Sequence, residues 1–344
     1  MRRLNVCIAC QQRSMPPKVI IDTDCGVDDA QALLIALTRP ESEVEVLGIS
    51  CVTGNVQLSR VVQNVKRVQL AVGTNVPIYK GASMPIIGPS GVNASFWHGL
   101  DGLGNSGFQD VPEGDICCGN FVDGNAAVNI VRLAHEFPKE ISIVALGPLT
   151  NIALALLLEP SLPDLVKELW WMGGSRSGVG NVTKSAEFNA YGDPEALKLV
   201  VSSFPLVHCL DWQATLDHGL EFEWFEQLLE AHDSPHSIFL KRISSMLITQ
   251  SKESEYSHYG FLIPDPLCMI AFLFEESRRA FLDAHVEIEL TGIHTRGMTV
   301  VEISSGKKDA SGWPVAGRNG TKCNVRFYSE LDMECVKQAF KNIV

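Results

Sequence analysis

In Val19-Ile20-Ile21-Asp22-Thr23-Asp24-Cys25-Gly26-Val27-Asp28-Asp29-Ala30, a β-branched run meets four carboxylates and a glycine. The run is too short for a helix and follows Pro16-Pro17, so it predicts a buried strand over 19–21. Beyond it Ala30, Leu33, Leu34 and Leu37 recur at helical spacing, and Pro40 closes a helix expected over 29–38. Asp22, Asp24, Asp28 and Asp29 therefore crowd a strand-to-helix turn with no Lys or Arg among them. In an open α/β sheet, the carboxyl end of a strand is where ligands bind.

The same alternation extends outward. Strands are expected over 44–50, 141–146, 169–172 and 206–210, and helices over 59–72, 126–136, 151–158 and 194–201. A mostly helical stretch (221–250, then 265–274) precedes strands over 286–290 and 298–303. Residues 81–119, 173–185 and 304–321, rich in Gly, Pro and Ser, read as loops. The fold class expected is α/β, an open doubly wound, mostly parallel central sheet flanked by helices. Residues 1–16 form a poorly ordered N-terminal extension in this reading, and 17–344 one domain.

The chain has 344 residues, with 28 Lys+Arg against 40 Asp+Glu, a formal net charge of −12. That excess of acid argues against a nucleic-acid binder, whose affinity rests on Lys and Arg. No apolar run approaches the roughly 20 residues of a membrane span. Ten scattered cysteines do not make a disulfide framework, and Cys7-x-x-Cys10 lacks the second pair that a zinc site needs. Cys51, Cys209 and Cys268 lie in apolar runs and read as buried thiols. A reduced, cytoplasmic protein is the simplest account; the basic tip Met1-Arg2-Arg3 and a short apolar stretch form only a weak secretory signal.

Helix capping accounts for Asp28 or Asp29, but not for four carboxylates whose mutual repulsion raises their pKa values unless a cation is near. All-oxygen ligation suits calcium or magnesium, and Gly26 permits the tight turn that brings Asp24 and Asp29 toward one point. An Asp-x-Asp phosphotransferase using magnesium is a rival, but it wants a phosphate-grasping Lys or Arg in these loops.

The segment Asp22-Thr23-Asp24-Cys25-Gly26-Val27-Asp28-Asp29 resembles the Asp-x-Asp-Pro-Gly-x-Asp-Asp signature of the inosine–uridine-preferring nucleoside hydrolase family. Further segments match in the family's order: Val52-Thr53-Gly54-Asn55; Ala145-Leu146-Gly147-Pro148-Leu149-Thr150-Asn151; Met172-Gly173-Gly174; Ala186-Glu187-Phe188-Asn189; Asp193-Pro194-Glu195-Ala196; and Asp265-Pro266. Glu289-Leu290-Thr291-Gly292 and Gly297-Met298-Thr299-Val300 carry the likeness to the last expected strands.

The resemblance implies hydrolysis of the N-glycosidic bond of ribonucleosides with one calcium ion. It implies calcium ligation by Asp24, Asp29, the Leu146 carbonyl and Asp265, with Asp24 as general base for the attacking water. Asp28, Asn55, Asn181, Glu187 and Asn189 would face the ribose. A homodimer or homotetramer is expected on the same ground.

Two departures matter. Many relatives carry His before the Asp matched by Asp265; here Pro264 stands there and has no proton to give. His98 and His258 are the candidate replacement acids, and Trp97, Tyr256 and Tyr259 are candidates for stacking on the base, which leans the expected substrate toward purines. Cys25 replaces the family's Pro. A catalytically silent relative that binds calcium and a ribosyl ligand is the alternative.

Overall fold

Val19 and Ile21 pack into one hydrophobic core and Ile20 into another, so the first strand lies between two apolar layers. Trp170 and Met172 likewise face the first core, Leu169 and Trp171 the second. This period-2 division is what a sheet covered on both faces requires. The computed structural model describes residues 15–88, 93–112, 125–317 and 319–344. Most of the expected N-terminal extension lies outside the described residues.

The strands are β1 (Lys18–Thr23), β2 (Glu45–Cys51), β3 (Ile78–Lys80), β4 (Ile141–Ala145), β5 (Glu168–Met172), β6 (Val207–Leu210), β7 (Arg278–Ile288), β8 (Thr299–Lys308), β9 (Pro314–Ala316), β10 (Thr321–Lys322) and β11 (Val325–Leu331). Their order across the sheet is β10-β9-β8-β7-β11-β6-β5-β4-β1-β2-β3. From β3 to β11 every neighbouring pair is parallel, and from β11 through β7 to β10 every pair is antiparallel. Strand order reverses at β1, which has β2 on one side and β4 on the other. The crevice at that switch point is the expected ligand site of a doubly wound sheet. Helices Val27–Leu37, Leu58–Val72, Pro235–Glu253 and Pro264–Leu273 cover the first core; Ala126–Glu136, Thr150–Leu158 and Pro194–Ser203 cover the second.

The C-terminal region corrects the sequence reading. Residues 304–321, expected to be a loop, hold the end of β8, all of β9 and the start of β10. Most of β8 is exposed or half-buried, so it lacks the apolar alternation that marks a strand. β7 starts at Arg278, ahead of the expected position, and β11 and helix Met333–Lys341 were not expected. Among its described residues, the loop expected over 81–119 contains a short helix, Ser95–His98. Cys51, Cys209 and Cys268 are buried and unbridged. No helix among the described residues is long and apolar enough to cross a membrane.

Candidate active site

The acidic turn joins β1 to helix Val27–Leu37, with Gly26 as the N-cap. Asp29, three residues on, accepts from Gly26 N at Oδ2 (2.8 Å) and from the Thr23 hydroxyl at Oδ1 (2.5 Å). Part of the capping reading therefore holds: Asp29 does close the helix terminus. Asn55, after β2, ties the turn to the next loop. Its backbone N donates to Asp24 Oδ2 (2.7 Å) and its Nδ2 to Asp29 Oδ2 (3.0 Å). Two glycines fit around Asp24: a Cβ on Gly54 would overlap Oδ2, and one on Gly147 would stand 2.8 Å from Oδ1. Cys25 N donates to Thr23 Oγ1 (3.0 Å) and takes φ +24°, neither of which proline could do.

Asp265 reaches the same place from the first turn of helix Pro264–Leu273. Oxygens of Asp28, Asp29 and Asp265 lie within 4.8 Å of one another, all three residues buried. Asp24, expected on the metal, is not in that trio. Its Oδ1 and the Oδ1 of Asp28 are buried without a hydrogen-bond partner. Burial, then the charge of Asp29, pushes Asp24 well above the usual carboxylate range. Burial, then Asp28, Asp29 and Asp24 in turn, does the same to Asp265. Burial alone raises Asp28 to about 6. No Lys or Arg among the described residues lines this site. Such a set fits a hard divalent cation: clustered carboxylates, orphaned oxygens and no organic counter-charge.

The carboxylates open into a pocket of about 400 Å³. Asp28, Asn55, Leu146, Glu187, Asn189 and Asp265 line its inner part. Asn189 Nδ2 donates to the Leu146 carbonyl (2.8 Å) and to the Met172 carbonyl (3.1 Å), leaving Asn189 Oδ1 unpartnered. Glu187 caps helix Phe188–Gly192 and accepts from Gly174 N, Asn189 N and Ala190 N (2.7, 2.9 and 3.0 Å). Burial nevertheless raises its carboxyl to about 7. Asn181 lines the pocket from an exposed position, its Oδ1 accepting from Phe188 N (2.8 Å).

Trp97 and His98 line the pocket as well. His98 Nδ1 accepts from Val27 N (3.2 Å), so the neutral ring carries its proton on Nε2. Burial lowers its pKa to about 4, although Asp29 opposes this. His258 and Tyr259 are not lining residues; their rings meet at a tilt of 40° on an exposed turn, centroids 4.0 Å apart. Their neighbour Tyr256 lines the pocket instead, together with Phe96, Trp212 and Leu262. Sequence reasoning missed Trp212, which opens the short helix Trp212–Asp217 just after β6 rather than lying in any acidic or Gly-rich motif. It also gave Asp22 no role. Asp22 Oδ1 accepts from Ser50 Oγ (2.5 Å) and Asn151 Nδ2 (2.8 Å), bracing β1 from behind the site.

Residues 19–338 match the profile of a family described as inosine-uridine preferring nucleoside hydrolase. The protein of that name from Leishmania major is 36% identical over 301 residues, covering 84% of this chain and 88% of that one. Probable uridine nucleosidase 1 of Oryza sativa subsp. japonica is 36% identical over 288 residues, 83% of this chain and 85% of its own. Among solved structures, an Inosine-Guanosine Nucleoside Hydrolase superposes with a TM-score of 0.83 at 26% identity, over 96% of this chain and 99% of that one. The Purine-Preferring Ribonucleoside Hydrolase from Gardnerella vaginalis gives 0.81 at 26% identity, over 95% and 97%. With the acidic turn, the switch-point pocket and nearly the whole length in agreement, this chain is a member of the inosine-uridine preferring nucleoside hydrolase family.

Proposed function

We propose that the chain hydrolyses the N-glycosidic bond of ribonucleosides, releasing base and ribose, with Asp24 as general base and one calcium ion at the inner end of the pocket. The observation that carries this is the meeting, in one pocket, of a buried carboxylate cluster, unpartnered polar atoms and an aromatic outer wall. Asp29 and Asp265 belong both to the ligand set implied by resemblance and to the close trio, and Asp24 and the Leu146 carbonyl complete the proposed set. When bound, calcium would balance these carboxylates and lower the pKa of a nearby water, leaving the general base to complete the deprotonation.

Asp24 takes a proton from the water that attacks C1′, as its unpartnered Oδ1 allows. The C1′–N bond breaks and its electron pair leaves with the base. Asn55, Glu187 and Asn189 hold the sugar hydroxyls, and contacts that tighten as the ribose flattens favour the transition state. Asp28 stands with either the sugar or the ion, being near both. His98 at a pKa of about 4 is not an imidazolium acid at neutral pH; its Nε2–H remains a hydrogen-bond donor. The departing base is stabilised by the aromatic wall and takes its proton from solvent.

The test is ribose release from inosine, adenosine, guanosine, uridine and cytidine with calcium present. Release from at least one, abolished by a chelator, is expected. No release from any, with nucleoside binding intact, would establish the silent relative, a reading that Pro264 and the neutral His98 favour.

A further inference from the structure

We infer that Arg176 is a positioning residue that locks the base-facing wall of the pocket to the loop facing the sugar. The inference rests on the hydrolase reading and adds the device that sets selectivity between large and small bases.

Arg176 lies in the loop between β5 and helix Phe188–Gly192, the loop that carries Asn181. Its guanidinium spans a whole short helix, Trp212–Asp217. Nη1 pairs with Oδ1 of Asp211, the helix N-cap, and Nη2 with Oδ2 of Asp217, the last residue (3.2 Å). The backbone N of Arg176 donates to the other oxygen of Asp211 (2.6 Å). Asp211 is fully buried and also caps Ala214 N (3.1 Å). Trp212 N donates to the Gly174 carbonyl (2.9 Å), and on the far side Ser175 exchanges two hydrogen bonds with Thr299 Oγ1 (3.0 and 2.7 Å).

This bracket has a consequence for the pocket. The helix it fixes begins with Trp212, which is only 6% exposed and lines the pocket. Trp212 meets Tyr256 edge-on, with centroids 5.4 Å apart and an interplanar angle of 89°. A buried charge pair with several partners holds position well, and removing one member leaves the other uncompensated. Losing Arg176 therefore frees the helix that sets Trp212, and loosens the loop of Asn181 in the same step. A bicyclic base, which extends farther from the sugar than a monocyclic one, depends more on Trp212 and Tyr256.

The experiment measures kcat and KM of wild type, Arg176→Met, Arg176→Lys and Asp217→Asn on inosine and on uridine. In Arg176→Met, KM for inosine should rise about tenfold and for uridine about two- to threefold, with kcat changed less on both. Arg176→Lys recovers part of the inosine KM, since an ammonium meets one carboxylate but not both. Asp217→Asn, which removes only the outer arm, shifts the ratio in the same direction by less and serves if Arg176→Met does not fold. An equal fall in kcat on both substrates with KM unchanged is what a merely structural residue gives, and it overturns the inference. Wild-type turnover reads the hydrolase assignment separately. If wild type releases no ribose, equilibrium dissociation constants for inosine and uridine carry the test, and a ratio untouched by Arg176→Met, or no binding of either, overturns it.

Discussion

At the inner end, Asn55 lines the pocket and holds Asp24 and Asp29, which are fully buried and do not line it; the three follow two adjacent strands and are cross-linked by backbone N–H groups and the Asn55 amide. At the outer end, Phe96, Trp97, Trp212 and Tyr256 come from three separate segments, and Phe96 is 72% exposed. Asp24 and Asp29 are held there through Gly26, Thr23 and Asn55, and the close approach of Gly54 and Gly147 leaves the Asp24 carboxylate little room to move. The outer end is an assembly of rings from separate segments, and their placement depends on brackets such as that of Arg176 on the helix of Trp212. Chemistry that needs accurate proton transfer sits in the first; recognition of a flat, variable base sits in the second. Substitutions at the two ends should therefore differ in which kinetic constant they move.

The largest effect is expected from Asp24→Ala, which removes the proposed base. Ribose release should fall by about 10²–10⁴-fold in kcat, and turnover within tenfold of wild type would remove Asp24 from that role. Gly54→Ala comes next, because the added methyl collides with Asp24 Oδ2. A loss of roughly tenfold or more in kcat is expected from a shift of even a fraction of an ångström at the base. A melting curve alongside separates this from misfolding, and unchanged kcat would show that the inner end is softer than argued.

Glu187 tests the inner end by pH. Burial raises its carboxyl from the ordinary value to about 7, so it holds a proton below that pH and is ionised above it. Its acceptor strength toward a sugar hydroxyl should then grow as pH rises through 7, giving kcat/KM an acid limb with an apparent pKa near 7. Glu187→Gln should lower kcat/KM and erase that limb; a limb that persists assigns it elsewhere. The sign for stability is the reverse. A raised folded-state pKa favours folding below the unfolded value, and that contribution is lost as pH rises through about 7.

The smallest effect belongs to the outer end. Trp97→Ala should raise KM about two- to tenfold, in line with aromatic contacts of about 0.5–1.5 kcal/mol, and leave kcat nearly unchanged. A fall in kcat as large as that from Gly54→Ala would erase the distinction between the two ends.

How much of this was legible in sequence follows the same division. The inner site was read from a single contiguous turn, where Asp22 to Asp29 are neighbours by covalent connection and the strand and helix around them have strong periodicity. Asp265 was found only through the ordered likeness to a family, since nothing local marks a lone acid before Pro266. The outer wall is legible in part: of the candidates expected there, Trp97 and Tyr256 line the pocket, whereas His258 and Tyr259, just before Pro264, do not. The short 3-10 turn Ser257–Tyr259 carries both away from the pocket, and Tyr256 lines it. The antiparallel arm from β8 to β10 was missed because edge strands with exposed side chains show no hydrophobic alternation.

Sequence alone determined the parallel α/β order, the acidic turn at a strand end and the family to which that turn belongs, because these are local patterns of burial and covalent spacing. Tertiary structure decided the rest. It placed β1 at the point where strand order reverses, brought Asp265 to within a cation's reach of Asp28 and Asp29, and set Trp212 in the pocket wall. It also fixed the proton of His98 on Nε2, through a hydrogen bond from Val27, 71 residues away in the chain. The physical reason is common to all four. Each depends on which distant segments share a surface, and that is settled by packing two cores against one sheet rather than by any residue's neighbours in sequence.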